Sequence, residues 1–230
     1  SLLAAVSLFT ACTEVIELDL NISDPQIIIE AVVTNAAGPY TVKITKSVNF
    51  DQTNSFPAVE NAFVTLRDDV GLLDTLTEIL PGIYQSATWS GVAGRAYFLT
   101  VLTDGKTLTS QSTIPQPVAF DSILVDSTGG GFGGPPMSGG GIPYTIYMIY
   151  TDPAASTNYY RFVQFINGEK QDALFVVDDR INNGNVVVIP FMNPSSQLQP
   201  GDTVEIEMQC LDKPVYEYFD SFGSLFGGPQ

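Results

Sequence analysis

The stretch "GRAYFLTVLTDGKTLTSQSTI" (residues 94–114) decides the fold of this 230-residue chain. Tyr97, Leu99 and Val101 occupy alternate positions, so an extended backbone places them on one face. Asp104-Gly105 follows, and this dipeptide readily takes the positive φ angles of a tight hairpin turn. The stretch therefore predicts a β-hairpin with one buried face.

Further strand-like runs lie on both sides of this hairpin. They are short, rich in β-branched and aromatic residues, and separated by Gly, Pro, Asn and Asp. Helical periodicity is almost absent, and strands at this spacing predict an all-β sandwich. The predicted strands are 26–34, 40–47, 62–69, 71–78 and 81–87 before the hairpin, and 118–127, 144–152, 158–168, 172–179, 185–191 and 202–212 after it.

The segment "PQP" (115–117) interrupts the strand pattern, because proline cannot donate to a β-ladder and favours an extended linker. We place a domain boundary there. The sequence then predicts two consecutive β-sandwich domains, at 26–114 and 118–230. A glycine-rich loop, 128–143, interrupts the second domain; it lacks the Lys-Ser/Thr ending of a phosphate-binding loop.

One segment near the end of the chain predicts a short C-terminal helix. In "KPVYEYFDSF" (213–222), the spacing of Val215, Tyr218, Phe219 and Phe222 gives one apolar stripe. The chain stops soon afterwards in "GSLFGGPQ", where a closing strand is expected. We therefore expect the second sandwich to be truncated.

The first residues change character abruptly at Cys12. Residues 1–11 are uncharged and largely apolar, whereas Glu14, Glu17 and Asp19 follow the cysteine. The run is too short to span a bilayer, which requires about 20 apolar residues. "FTAC" (9–12) resembles a lipobox, so we expect residues 1–11 to be the remnant of a lipoprotein signal peptide. Cys12 would then be the lipidation site and 12–25 a lipidated tether; the alternative is a buried N-terminal element with an inert cysteine.

The composition excludes several classes of function. The chain carries 9 Lys and Arg against 25 Asp and Glu, a formal net charge of -16, which argues against a nucleic-acid partner. Histidine is absent, which removes the commonest general base and transition-metal ligand. Cys210 is the only cysteine besides Cys12. It ends the alternating run "VEIEMQC", which predicts a strand, and is interpreted as a small core residue.

Two acidic pairs are the only candidates for acid–base chemistry. Asp68-Asp69 and Asp178-Asp179 both stand at strand ends, where aspartate is common. Neighbouring strand residues point to opposite faces, so neither pair converges by itself. A calcium contact remains an alternative, although the EF-hand spacing is absent. We therefore predict no enzyme activity, no cofactor and no metal site; Asp152 and Asp121 are interpreted as turn and strand-edge residues.

Aromatic residues supply the candidate binding sites. Tyr160 and Phe162 share one face of a predicted strand, whereas Tyr159 and Arg161 share the other. The first pair predicts core packing, and the second an exposed platform for a partner or glycan, since Tyr and Arg are enriched at interface hot spots. The alternative is that the aromatic residues of this region form only the sandwich core and its cross-strand pairs. Trp89 is the third candidate contact residue; its alternative position is a half-buried core edge.

Several segments in this order resemble a known family. They are the Cys12 lipobox, "EVIELDL", "IIIEAVVTNAAGPYTVKITKS", "PGIYQSATWSGVAGRAYFLTVLTDGKTLTSQSTIP", "NYYRFVQFINGE" and "GDTVEIEMQCLDKPVYEYF". Together they resemble the Bacteroidota outer-membrane lipoproteins grouped as a domain of unknown function of the DUF4249 type. The first half is also similar to immunoglobulin-like and carboxypeptidase-regulatory modules.

The resemblance implies a location and a role. Such proteins look like lipid-anchored accessories of TonB-dependent receptors in the outer membrane, with no established activity. We therefore expect a non-catalytic binding module at the outer membrane, with a β-barrel receptor as partner and display at the cell surface favoured by the acidic residues after Cys12. The alternative is a surface lipoprotein that captures a glycan or peptide for uptake.

Overall fold

The computed structural model describes residues 24–49, 55–126, 144–191 and 198–225. The predictions for Cys12, for the tether up to residue 23 and for the glycine-rich loop lie outside these ranges. The described elements are β1 (Ile27–Ala31), β2 (Thr41–Lys46), β3 (Phe63–Asp68), β4 (Leu73–Thr75), β5 (Thr77–Leu80), β6 (Ile83–Gln85), β7 (Ala96–Thr103), β8 (Lys106–Thr113), β9 (Phe120–Asp126), β10 (Thr145–Thr151), β11 (Tyr159–Ile166), β12 (Glu169–Lys170), β13 (Phe175–Asp178), β14 (Val186–Pro190), β15 (Val204–Leu211) and α1 (Lys213–Leu225).

The first eight strands form two antiparallel sheets, with strand orders β1-β2-β6-β5 and β4-β3-β7-β8. The predicted hairpin is confirmed: β7 and β8 pair over their full length, and Asp104 and Gly105 both have positive φ at the turn. Tyr97, Leu99 and Val101 are buried, as their alternation predicts.

The chain passes from one of these sheets to the other at Leu76. Before it, β4 pairs with β3 of the second sheet; after it, β5 pairs with β6 of the first. The buried Leu76 side chain packs in the core, and its backbone N–H donates to the carbonyl of Val64 at 2.9 Å. One continuous segment therefore joins the two layers of the first sandwich.

The later strands form two further antiparallel sheets. One has the order β14-β10-β9; in the other, β11 pairs with β12, β13 and β15. In the described ranges, no strand of β1–β8 pairs with a strand of β9–β15.

Each set of sheets encloses its own cluster of buried side chains. The first cluster includes Val42, Ile44, Val64 and Tyr84, and the second includes Met148, Tyr160 and Phe162. The all-β sandwich class and the short C-terminal helix are thereby confirmed. The division into two domains at 115–117 stays a prediction. Among the described residues, no helix is long and apolar enough to cross a membrane.

Candidate binding face on the C-terminal helix

Helix α1 begins at an aspartate that also contacts the first half of the chain. The Asp212 side chain accepts the backbone N–H of Val215 at 3.2 Å, which satisfies one of the unpaired donors in the first helical turn. Its other carboxylate oxygen accepts the Ser112 hydroxyl at 2.7 Å and the Thr113 backbone N–H at 3.0 Å. Asp212 therefore caps α1 and ties the helix start to β8.

The helix covers the side chains that the sequence predicts as an exposed platform. The Tyr159 ring stacks on Tyr216 with ring centroids 4.8 Å apart, and the Arg161 guanidinium carbon lies 4.4 Å from the centre of the Phe219 ring. Tyr159 and Arg161 are both half-buried as a result. We call Tyr159, Arg161, Tyr216 and Phe219 the helix-capped face.

The expected exposure of Tyr159 and Arg161 is therefore wrong. The physical reason is that α1 needs a sheet surface on which to bury its own aromatic side chains, and the outer face of β11 supplies it. Aromatic pairs of this geometry contribute about 0.5–1.5 kcal/mol beyond the burial of their area. The predicted packing of Tyr160 and Phe162 in the core is confirmed, since both are fully buried.

The orientation of α1 also differs from the predicted apolar stripe. Tyr216, which that stripe omits, is buried, whereas Tyr218 and Phe222 are 63% and 47% exposed. The Tyr218 and Phe222 rings lie one above the other, with centroids 6.4 Å apart at 23°. We call Tyr218 and Phe222 the outer aromatic pair.

Charged groups surround this helix. The Arg180 Nε donates to Asp178 Oδ2 at 2.6 Å, and the Tyr216 hydroxyl donates to the same oxygen at 3.3 Å. Burial, followed by the nearby carboxylates of Asp178 and Asp220, raises the pKa of Tyr216 to about 12. The tyrosine is therefore a neutral hydrogen-bond donor throughout the physiological range.

Arg161 is held with incomplete hydrogen bonding. Its Nη1 donates to Gln209 Oε1 at 3.5 Å, a long and weak contact, and its Nε is buried with no hydrogen-bond partner in the described part of the chain. The Phe219 ring face supplies a cation–π contact instead. The geometry suits a residue that orders α1 on the sheet.

Trp89 is half-buried in the first sandwich and lies far in sequence from Tyr159 and Arg161. Its Nε1 donates to Asp74 Oδ2 at 2.8 Å, and its ring meets Tyr40 edge-on and stacks on Tyr97. This is the core-edge position given above as the alternative. The structure does not bring Trp89 together with Tyr159 or Arg161 in any described contact.

In each acidic pair, one buried carboxylate accepts hydrogen bonds from the backbone. Asp68 Oδ1 accepts the backbone N–H groups of Val70, Gly71 and Leu72, and Oδ2 accepts Arg95 Nη1 at 2.9 Å. The buried Asp179 carboxylate accepts the backbone N–H of Asn158 at 2.7 Å. No group of three or more His, Cys, Asp or Glu side chains within the described ranges is arranged to hold a metal ion.

Sequence reasoning missed one buried carboxylate. Asp152, interpreted as a turn residue, is only 2% exposed and accepts the hydroxyl of Tyr160 together with the backbone N–H of Gly184. Burial and the hydrogen bond to Asp152 raise the pKa of Tyr160. Its signal in the sequence is slight: a lone aspartate before proline is typical of any exposed turn.

The fold and this face define an all-β sandwich protein whose C-terminal helix presents aromatic side chains on both of its sides. The family model described as "Domain of unknown function (DUF4249)" matches residues 13–228, and the chain belongs to that family. No curated protein matches the chain by sequence.

Proposed function

We propose that this protein is a non-catalytic lipoprotein of the outer membrane that binds a TonB-dependent β-barrel receptor through the outer aromatic pair of α1. The observation that carries the proposal is the exposure of Tyr218 and Phe222 on a helix that the sheet already holds in place. Exposed aromatic side chains on a rigid element are the typical anchors of protein interfaces.

The lipid anchor is the second part of the proposal. It is supported by the lipobox-like "FTAC" and by the acidic residues that follow Cys12. Several acyl chains on one cysteine give stable membrane attachment, because each buried methylene contributes about 0.8 kcal/mol. Radiolabelled palmitate should enter the wild-type protein and not the Cys12→Ser variant; equal labelling of both would refute the anchor.

The receptor contact is tested by pull-down from detergent-solubilised outer membranes. The wild-type chain should retain one β-barrel receptor, and the double variant Tyr218→Ala/Phe222→Ala should lose about nine-tenths of it, since interface anchors dominate binding energy. Leu73→Ala is the matched control, because Leu73 is 69% exposed on β4 of the first sandwich. Equal recovery with all three proteins would show that α1 does not contact the receptor. Recovery of no β-barrel would refute the proposed function.

A second candidate function is capture of a glycan or peptide. A groove of about 130 Å³ lies among β1, β7 and β8, lined by Ile29, Ala31, Leu99, Leu108, Thr109 and Ser110. Ligand sites usually enclose about 300–1,000 Å³, so this groove is small for a capture site. Ligand retention that Leu108→Arg abolishes, with the outer aromatic pair intact, would favour this second function.

A further inference from the structure

The outer face of the sheet β4-β3-β7-β8 carries a row of threonines, one from each strand. Thr65 of β3 pairs with Thr75 of β4 and with Thr100 of β7, and Thr100 pairs with Thr109 of β8. Paired residues lie on the same face of a sheet, and the residues that alternate with them in β3 and β7 are buried in the core. The threonine side chains therefore face outward. We call Thr65, Thr75, Thr100 and Thr109 the threonine row.

The hydroxyls of the threonine row are free to bind a ligand. None of them has a hydrogen-bond partner within the described part of the chain. Thr75 and Thr109 are exposed, and the central Thr65 and Thr100 are half-buried. Each hydroxyl can donate one hydrogen bond and accept two. Because neighbouring strands lie about 4.8 Å apart, the row offers donors and acceptors at regular intervals across the sheet.

The threonine row is flanked by an apolar row and by a cationic one. On one side, Phe63 pairs with Leu102, and these two side chains are 54% and 43% exposed. On the other side, Arg67 pairs with Phe98, and its guanidinium carbon lies 3.8 Å from the centre of the Phe98 ring. Aromatic and aliphatic side chains beside a few ordered polar groups are typical of small-molecule sites. A sugar matches such a surface, because it presents both C–H groups and hydroxyls.

Arg67 is the one charged residue in these three rows, and it is exposed. It forms no ion pair with a described carboxylate, and its N–H groups have no acceptor among the described residues. The adjacent Asp68 points into the core and pairs with Arg95, and Asp69 lies beyond the end of β3 without pairing with Arg67. A free guanidinium binds a carboxylate through two parallel hydrogen bonds. The charge of this face therefore complements an anionic ligand.

We propose that the threonine row and Arg67 bind an extended, β-linked glycan that carries carboxylates, such as a chain of uronate sugars. The glycan would lie across the strands, with its hydroxyls on the threonine row, its C–H groups against Phe63 and Leu102, and a carboxylate on Arg67. The strand face of a sheet also binds oligosaccharides in other all-β folds. This surface is separate from the outer aromatic pair, so the proposal stands independently of receptor binding.

Other occupants suit this face less well. A protein surface that covered the row would remove water from its hydroxyls, and any hydroxyl left without a new partner would weaken binding. A sugar chain instead brings hydroxyls on every unit. A second copy of the chain is opposed by the net charge of -16. The same charge repels a small anion less, because at physiological ionic strength the Debye length is only about 8 Å.

The test compares two hexasaccharides, one of β-linked mannuronate and one of β-linked mannose, which share linkage and stereochemistry and differ in the carboxylate. Calorimetric titration of the full chain should show that the wild type binds the mannuronate about tenfold more tightly, since a hydrogen bond between charged groups is stronger than a neutral one. Arg67→Met should bind both alike. The double variant Thr65→Val/Thr100→Val should weaken both by about tenfold. The matched controls are Lys170→Met and Thr77→Val, which change exposed residues of other sheets and should bind like the wild type.

Each contrary result has a defined meaning. Binding of neither hexasaccharide by the wild type, or equal binding by the wild type and the double threonine variant, would overturn the proposal. Loss of binding in Leu108→Arg alone would assign the sugar to the groove among β1, β7 and β8 instead. An unchanged preference for mannuronate in Arg67→Met would refute recognition of the carboxylate. Circular dichroism of the variants must match the wild type, and Arg67→Lys, which keeps the charge and loses the planar fork, should retain only part of the preference.

Discussion

At the scale of single residues, buried carboxylates hold the turns of this protein. Asp68 and Asp152 are both almost inaccessible to solvent, and each is stabilised by donors that point at its oxygens. A buried charge without such donors would cost several kcal/mol. Their positions therefore depend on residues that are distant in the sequence, such as Arg95 for Asp68 and Gly184 for Asp152.

Removing one of these donors should destabilise the second sandwich. Tyr160→Phe deletes the hydroxyl that donates to Asp152 and leaves a buried carboxylate short of a partner. We expect the free energy of unfolding in urea to fall by about 1–3 kcal/mol. Tyr218→Phe, which deletes a hydroxyl from an exposed ring, is the control. An equal effect of both substitutions would contradict the role of the hydrogen bond between Tyr160 and Asp152.

The stability of the first sandwich should depend on pH through Asp68. Burial opposes ionisation, but the backbone N–H groups of residues 70–72 and Arg95 outweigh it and lower the pKa of Asp68 below 3.8. A carboxylate with a lowered pKa stabilises the fold above its unfolded value, and this contribution disappears as the pH falls through the folded value.

Urea unfolding between about pH 5 and pH 2 checks this prediction. The wild type should lose stability on acidification, and Asp68→Asn should be less stable at neutral pH with a shallower dependence below its ordinary pKa. Asp69→Asn is the neighbouring control, since Asp69 is exposed. Parallel acid profiles for wild type and Asp68→Asn would exclude Asp68 as the cause.

At the scale of elements, α1 connects parts of the chain that are far apart in sequence. Its start is capped by Asp212, and the same carboxylate reaches Ser112 and Thr113 of β8. Its inner side covers Tyr159 and Arg161, while its outer side presents Tyr218 and Phe222. The helix therefore converts a predicted binding platform into a support for a different aromatic surface.

Substitutions at Asp212 separate these two roles. Asp212→Ala removes both the cap and the link to β8, and should lower the free energy of unfolding by about 1–2 kcal/mol. Asp212→Asn retains a good capping group but puts an amide nitrogen where an acceptor is needed, so it should lose only the link. Thermal unfolding measures both; identical losses would show that capping by Asp212 contributes nothing.

At the scale of the whole molecule, each half has its own sheets and its own buried cluster. The first cluster is drawn from residues 42–101 and the second from residues 146–198. The described contacts between the halves include the hydrogen bonds of Asp212 to β8. This arrangement supports the proposed division at 115–117, because a domain requires a core of its own.

Expression of the halves tests that division. Residues 24–114 and 118–230, produced separately, should each show a cooperative urea transition monitored by far-ultraviolet circular dichroism, since each retains its cluster. The mixture should reproduce the spectrum of the full chain. A first half that remains unfolded alone would show that its stability depends on the second.

The strands and their turns are largely readable from the residues themselves. Alternation at Tyr97, Leu99 and Val101, and the Asp104-Gly105 turn, predict the β7–β8 hairpin correctly because both signals are local. The same holds for the existence of α1. The face that α1 turns toward the sheet is not predicted correctly, because the order of residues in "VYEYF" does not indicate which aromatic side chain packs on the sheet.

The sequence by itself therefore determined the all-β class, the strand pattern, the acidic charge and the absence of histidine. Only the tertiary structure decided that α1 covers Tyr159 and Arg161, that Asp152 is buried and that Tyr218 and Phe222 stay exposed. These features depend on which surfaces meet across long sequence separations, and local patterns carry no information about that pairing. Burial of one surface against another is what selects the residues that stay exposed.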